Sequence, residues 1–182
     1  EVDDVLPRLR KTLKVSKKPT SGKNVTTYQA TSHQWIDVFR DFGHGAASKR
    51  IPDWILRAPK DYLKRFVEGY CAADGTVHPT GALQFTTVSR DLAYGLQLVM
   101  AKLGRVGSIC YQKQPRTTTI EGQAVRQSDT YTIHVRTRND YAVVEHGMLW
   151  VKIRSVGRKQ AKTTVFNLDV GDEHTYTADN VI

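Results

Sequence analysis

The sequence predicts a mixed α/β fold of the α+β kind, in which helices alternate with pairs of strands. Three observations carry this. Helical apolar spacing and short β-branched runs follow one another in the order helix, two strands, helix, two strands, helix. One helix, over residues 59–74, bears an interior glycine and runs straight into Asp74-Gly75. Two stretches about 103 residues apart repeat one pattern of strand, polar turn, aromatic segment and glycine.

VDDVLPRLRKTL reads as a short amphipathic helix with Val5, Leu9 and Leu13 at fourfold spacing, capped by Asp3 or Asp4. KKPTSGKN is a polar turn before the strand VTTYQATS. Residues 33–41 form a helix with Trp35, Val38 and Phe39, then Phe42, as its apolar side, stopped by Gly43. After IPDWIL the main helix carries an apolar stripe of Leu63, Phe66, Val67 and Tyr70. TVHP and ALQFTTVS read as a hairpin turning at Thr80-Gly81, with Gln84 and Thr86 on one face and Leu83 and Phe85 on the other. Ser89 caps a helix whose core side is Leu92, Leu96, Val99 and Leu103, ended by Gly104. Residues 105–113 and 130–138 are strands, 114–128 a polar loop, and 140–147 a short helix.

The chain has 182 residues, enough to bury a core, and no apolar run near the roughly 20 residues that span a bilayer. The first residues lack a signal-peptide pattern, so an intracellular protein is expected. Cys71 and Cys110, far apart in apolar contexts, read as buried thiols. Net charge is +9, unevenly spread: residues 163–182 hold four acids and no Lys or Arg, leaving +13 on the rest. From 102 to 138 seven Lys/Arg face two acids. Basic charge on strand-like sequence suggests a polyanion such as nucleic acid, and a solvated basic surface is the competing reading.

Asp74 is the most telling residue. A helix C-terminus carries about half a negative charge, so an acid there is disfavoured by about 0.3–1 kcal/mol and calls for a cation, which a divalent metal supplies. Gly69 and Ala73 lie four apart beside Ala72, a spacing of small residues that lets a second helix approach closely. The repeat of 25–43 at 128–147 places that twin's end about 30 residues before Glu1, outside this sequence.

These residues resemble a known family. VEGYCAADG (67–75) resembles the LAGLIDADG motif of homing endonucleases, matching its central glycine, penultimate alanine and final Asp-Gly, with Ala72 at the motif's other acidic position. KRIPDWIL and LAYGLQLVMAKLGRVGSI resemble the blocks before and after the second copy of the motif. WVKIRSV and VFNLDVGDEHTYTADNVI resemble C-terminal strands of a Hint-type intein splicing domain, in line with the acidic shift. The resemblance implies an αββαββα endonuclease domain over 1–147, with a partial first repeat to 48 and a second repeat from 49, then part of a splicing domain over 148–182.

It further implies cleavage of a long double-stranded DNA site with Mg²⁺ or Mn²⁺, the metal held by Asp74 with backbone near Gly75 and by the matching acid of a missing N-terminal half. Lys49 would assist at the phosphate, and Gln84 would reach the DNA near the metal. A sheet in the major groove would read bases, with Gln84, Thr86, Lys113, Arg116, Arg126, His134, Arg136 and Arg138 as candidates; alternation puts His134, Arg136 and Arg138 on one face. For splicing, His174 would assist asparagine cyclisation, while Asn167 stands where the family often has an acid. Without an N-terminal Cys or Ser nucleophile or a terminal His-Asn, this polypeptide alone is expected not to splice. The alternatives are a degenerate insert that binds DNA or only supports splicing, and a homodimer through residues 67–73.

Overall fold

The computed structural model describes residues 6–8, 10–19, 26–115, 117–120, 122–138, 142–146, 148–160, 162 and 164. Residues 6–8 and 10 are helical; Asp3, Asp4, Val5 and Leu9 lie outside the described residues. β1 (Val15–Pro19) then pairs antiparallel with β2 (Thr26–Ala30), so the expected turn over 17–24 begins inside a strand. α1 (His33–Arg40) is capped by the Ser32 hydroxyl, which accepts from the Trp35 N–H. It buries none of its residues. Its aromatic side is instead a solvent-facing ladder from Trp35 to Phe39, Phe42 and Trp54, with centroids 5.6, 6.0 and 5.8 Å apart.

After the short helix α2 (Asp53–Leu56), Pro59 opens α3 (Lys60–Asp74), with φ preset for a first helical turn. Leu63 and Val67, one turn apart, are buried, and the Tyr70 ring meets Phe85 edge-on at 5.5 Å. At Asp74 the helix gives way directly to β3 (Gly75–Val77), the Gly75 N–H returning to the Cys71 carbonyl. Gly81, at φ +77°, closes the turn into β4 (Leu83–Thr87). α4 (Arg90–Lys102) ends before Gly104 at φ +78°, and β5 (Gly107–Gln112), β6 (Thr117–Ile120), β7 (Gln123–Arg126) and β8 (Thr130–Val135) follow.

The main sheet is antiparallel with strand order β3-β4-β8-β5. Alternation gives it one packed face, where Leu83, Phe85, Ile133 and Val135 close a core with Leu63, Val67, Leu92, Leu96, Val99 and Met100 from α3 and α4. Each such buried side chain contributes about 1.5–3 kcal/mol. Ser89 is the buried polar residue of this core. Its hydroxyl donates to the Lys49 carbonyl at 2.5 Å and accepts from the Leu92 N–H at 3.2 Å, capping α4 as expected and tying the segment before α2 to it.

Four expectations are corrected. Residues 114–128 hold a hairpin, β6–β7, since Thr-Thr-Thr-Ile and Gln-Ala-Val-Arg pair across Gly122. The helix expected over 140–147 is absent among the described residues: β9 (Ala142–Glu145) pairs with β10 (Met148–Val151) across His146 at φ +52°. Val143 and Val144 favour extended backbone, and a partner strand five residues on satisfies it. The aromatic helix therefore does not recur, and the internal repeat holds only for its strand. Finally, Cys110 is exposed on the outer sheet face beside Thr132, and Cys71 is only half-buried. Asp140, Gly147 and residues 165–182, with the expected second splicing-domain segment, lie outside the described residues.

Two glycines of α3 and its end should respond oppositely to alanine. A Cβ at Gly75 would stand 2.7 Å from the Cys71 Cα and 3.2 Å from the Phe85 ring, so Gly75→Ala is expected to destabilise the chain by about 1–3 kcal/mol. A Cβ at Gly69 meets nothing within 4 Å, so Gly69→Ala is expected to stabilise the isolated chain by about 0.5–1 kcal/mol. Urea midpoints measure both. Ser89→Ala removes a cap and strands the Lys49 carbonyl, and should lower stability by about 1–3 kcal/mol in the same assay.

Candidate active site and nucleic-acid interface

The site is set by where strands end relative to one another. In the β3–β4 ladder Gly75 lies opposite Phe85, so Thr86, Thr87 and the turn to Ser89 run on past β3 at the end of the sheet where α3 hands over. Asp74 is at that end by construction. Lys49 joins it through the Ser89 hydroxyl, which holds the Lys49 carbonyl just beyond β4. Gln84 sits near the far end of β4, opposite Thr76 on one side and His134 on the other. Asp74 and Lys49 thus share one end of the sheet, whereas Gln84 lies toward the other, so the register does not bring Gln84 beside Asp74 as expected.

Asp74 is exposed and makes no hydrogen bond or ion pair among the described residues. Its charge is felt by Tyr70, whose phenol burial pushes above its usual pKa, the Asp74 carboxylate adding to the rise. Burial likewise raises the Cys71 thiol, with Arg105 opposing, so Cys71 is not an activated thiolate. Among the described residues no three His, Cys, Asp or Glu converge as a metal site. A hard divalent ion takes six or more oxygens, so Asp74 with backbone near Gly75 fits half of a carboxylate site and not a whole one.

The helix face beside Asp74 is bare. Gly69, Ala72 and Ala73 are exposed, and no second helix covers them among the described residues.

The outer face of the sheet is polar and uncovered by either helix. Thr76, Gln84, His134 and Ser108 form one cross-strand row, and Thr86, Thr132 and Cys110 the next, with the Thr86 and Thr132 hydroxyls 3.3 Å apart. Gln84, Thr86 and His134 therefore stand on one surface, as expected. Arg136 and Arg138 do not join them: β8 ends at Val135, so strand alternation stops before either arginine. Arg136 instead lines a cavity of about 800 Å³ with Lys60, Lys102 and Arg105, at the sheet end opposite Asp74. A second cavity of about 700 Å³ runs along α3 past Val67, Cys71 and Leu103. Neither takes in Asp74, Lys49 or Gln84.

Lys113 and Arg126 are exposed at the Asp74 end, on the outgoing and return arms of the β6–β7 hairpin. Arg116, Asn167 and His174 lie outside the described residues. Sequence reading missed the hairpin, the bond from the Ser89 hydroxyl to the Lys49 carbonyl, and Asp129 at the hairpin base. The hairpin had a signal, the β-branched run Thr117–Ile120 followed by Glu121-Gly122; the two side-chain bonds had none.

Comparison with known proteins bears on this geometry. The chain is 28% identical over 167 residues to an iron-sulfur cluster assembly SufBD family protein of Mycobacterium tuberculosis, covering 85% of this chain and 19% of that protein. It is 24% identical over 187 residues to the ATP-dependent DNA helicase Hel308 of Thermococcus kodakarensis, covering 88% of this chain and 16% of the helicase. With a DNA polymerase of the same organism it shares 41% identity over 59 residues, 32% of this chain and 4% of the polymerase. The chain thus spans less than a fifth of the length of the curated relatives it matches. Residues 61–145, which include the Asp74 helix, the sheet and the hairpin, match the family model of the LAGLIDADG-like domain, and this match supports the homing endonuclease family for that part of the chain.

Proposed function

We propose that this chain is part of an intein-encoded homing endonuclease that binds a long double-stranded DNA site on its outer sheet face and cleaves it together with a second half. The observation that carries the reading is Asp74: a solvent-facing carboxylate without a partner among the described residues, at the end of a helix whose adjoining face of Gly69, Ala72 and Ala73 is small-sided and uncovered by them. Two such helices packed side by side would bring two acids together. They would repel one another unless a cation lay between them.

Asp74 and the Gly75 backbone would hold Mg²⁺, which when bound supplies charge neutralisation and an activated water at a phosphodiester. This chain's own residues do the rest. Lys49, fixed through its carbonyl by Ser89, would place an ammonium near the scissile phosphate. Gln84, Thr86 and His134 would present donors and acceptors to base edges, and Lys113 and Arg126 would contact phosphates. The intein context is supported by the relatives: a helicase, a polymerase and an iron-sulfur assembly protein share with this chain a segment that is a small fraction of each. An insert carried by unrelated hosts accounts for that pattern. Residues 148–182 would then belong to the splicing domain, with His174 and Asn167 acting in it.

Supplied with a second half bearing the matching motif, the chain is expected to cut plasmid libraries in the presence of Mg²⁺, and Asp74→Asn to abolish cutting on gels while gel-shift affinity stays within about twofold. Cutting that survives Asp74→Asn would remove Asp74 from the mechanism. Binding without any cleavage by the unsubstituted pair would favour the DNA-gripping insert. The isolated chain should lose duplex affinity steeply with salt, and Lys113→Ala and Arg126→Ala should each reduce the log–log slope by about 1.

A further inference from the structure

The β6–β7 hairpin forms its own two-stranded sheet, separate in hydrogen bonding from the four-stranded one. A lone hairpin is marginal in water, so its direction must be set at its roots. The roots leave the main sheet at its last rung, Gln112 opposite Thr130, at the same end as Asp74. Just beyond that rung a single carboxylate spans them. Asp129, on the return root, accepts the Tyr111 phenol at 2.5 Å through Oδ2 and the Gln114 backbone N–H at 3.0 Å through Oδ1, both on the outgoing root. The Gln114 amide adds a bond to the Thr130 hydroxyl at 3.3 Å, and the Tyr111 and Tyr131 rings pair at 5.3 Å beneath.

We propose that Asp129 is a positioning residue: by clamping both roots it sets the angle at which the hairpin, with Arg126 and Thr117 opposite each other on one face, is presented to duplex DNA. This use rests on the DNA-binding reading above. The chemistry suits an acid, because the phenol and the backbone N–H can both donate and a carboxylate accepts through both of its terminal atoms. Asparagine would have to offer its amide N–H to the phenol oxygen, giving up the charge-assisted bond. A β-ribbon of two strands fits the major groove, where a few degrees at the root displace the tip by a base step, so the clamp would govern which base pairs the hairpin meets rather than how strongly the chain is attracted.

The test separates the clamp from the DNA reading. In the 182-residue chain with Cys71→Ala, the exposed Cys110 and an introduced Gln123→Cys carry spin labels, and their distance distribution is measured without DNA. A narrow distribution is expected, at least about twofold broader in Asp129→Ala and intermediate in Tyr111→Phe, with unchanged urea midpoint for the three. Equal widths would overturn the clamp. Selection from a randomised duplex pool should then show Asp129→Ala losing base preference on one flank, with about tenfold or greater loss for the selected duplex and an unaltered salt slope. Unchanged preference despite broadened distances would overturn the specificity role. No duplex binding by the unsubstituted chain would sink the DNA reading and the use assigned to the clamp with it, while the label distances still decide whether Asp129 sets the hairpin's direction.

Discussion

At Gly75 a helix becomes a strand with no residue between them, and only a hydrogen fits in the angle. The Cβ of any other residue would press on the Cys71 backbone and the Phe85 ring together. That single constraint fixes three things. It seats α3 on the packed face of the sheet, because Phe85 must lie beneath the handover and the Tyr70 ring against it. It puts the Asp74 carboxylate at the sheet end, exposed. It also leaves the opposite helix flank, with Gly69 and Ala73, turned away from the core and free to meet another surface.

The remaining architecture keeps that end of the sheet organised with few bonds. Ser89 serves α4 as its cap and Lys49 as its anchor, so a helix start and a candidate phosphate contact depend on one buried hydroxyl. Asp129 does the equivalent across the sheet, where the ladder stops and a hairpin departs. Both are short polar side chains bonded to backbone or phenol groups on two separate segments. Between them lies a face of threonines, Gln84 and His134, uncharged enough to approach base edges while Lys113 and Arg126 stand at its margin.

Much of the fold was legible because local periodicity and packing agreed. The α3 stripe, the alternation in β4 and the Ser89-to-Gly104 helix were readable from spacing, since each buries one face against a continuous core. The end of α3 at Asp74 was legible for the same reason, its apolar stripe running to Tyr70 and the helix stopping at Gly75. Where reading failed, a strand lacked a visible partner. Residues 142–145 carry too few positions to separate a helix from a strand, and pairing with Met148–Val151 decided the matter. Arg136 followed the alternation of β8 on paper, yet the strand stops one residue earlier, so it faces the cationic cavity and not the outer sheet.

What the sequence determined alone is therefore the set of amphipathic elements and the acid that ends one of them, since these depend on neighbours within a few residues. The tertiary structure decided which ends of the strands coincide. Register brings Lys49 and Asp74 to one end, leaves Gln84 and Arg136 toward the other, exposes Cys110 and aims the hairpin, because hydrogen bonding between strands distant in sequence sets each of these and no local pattern encodes it.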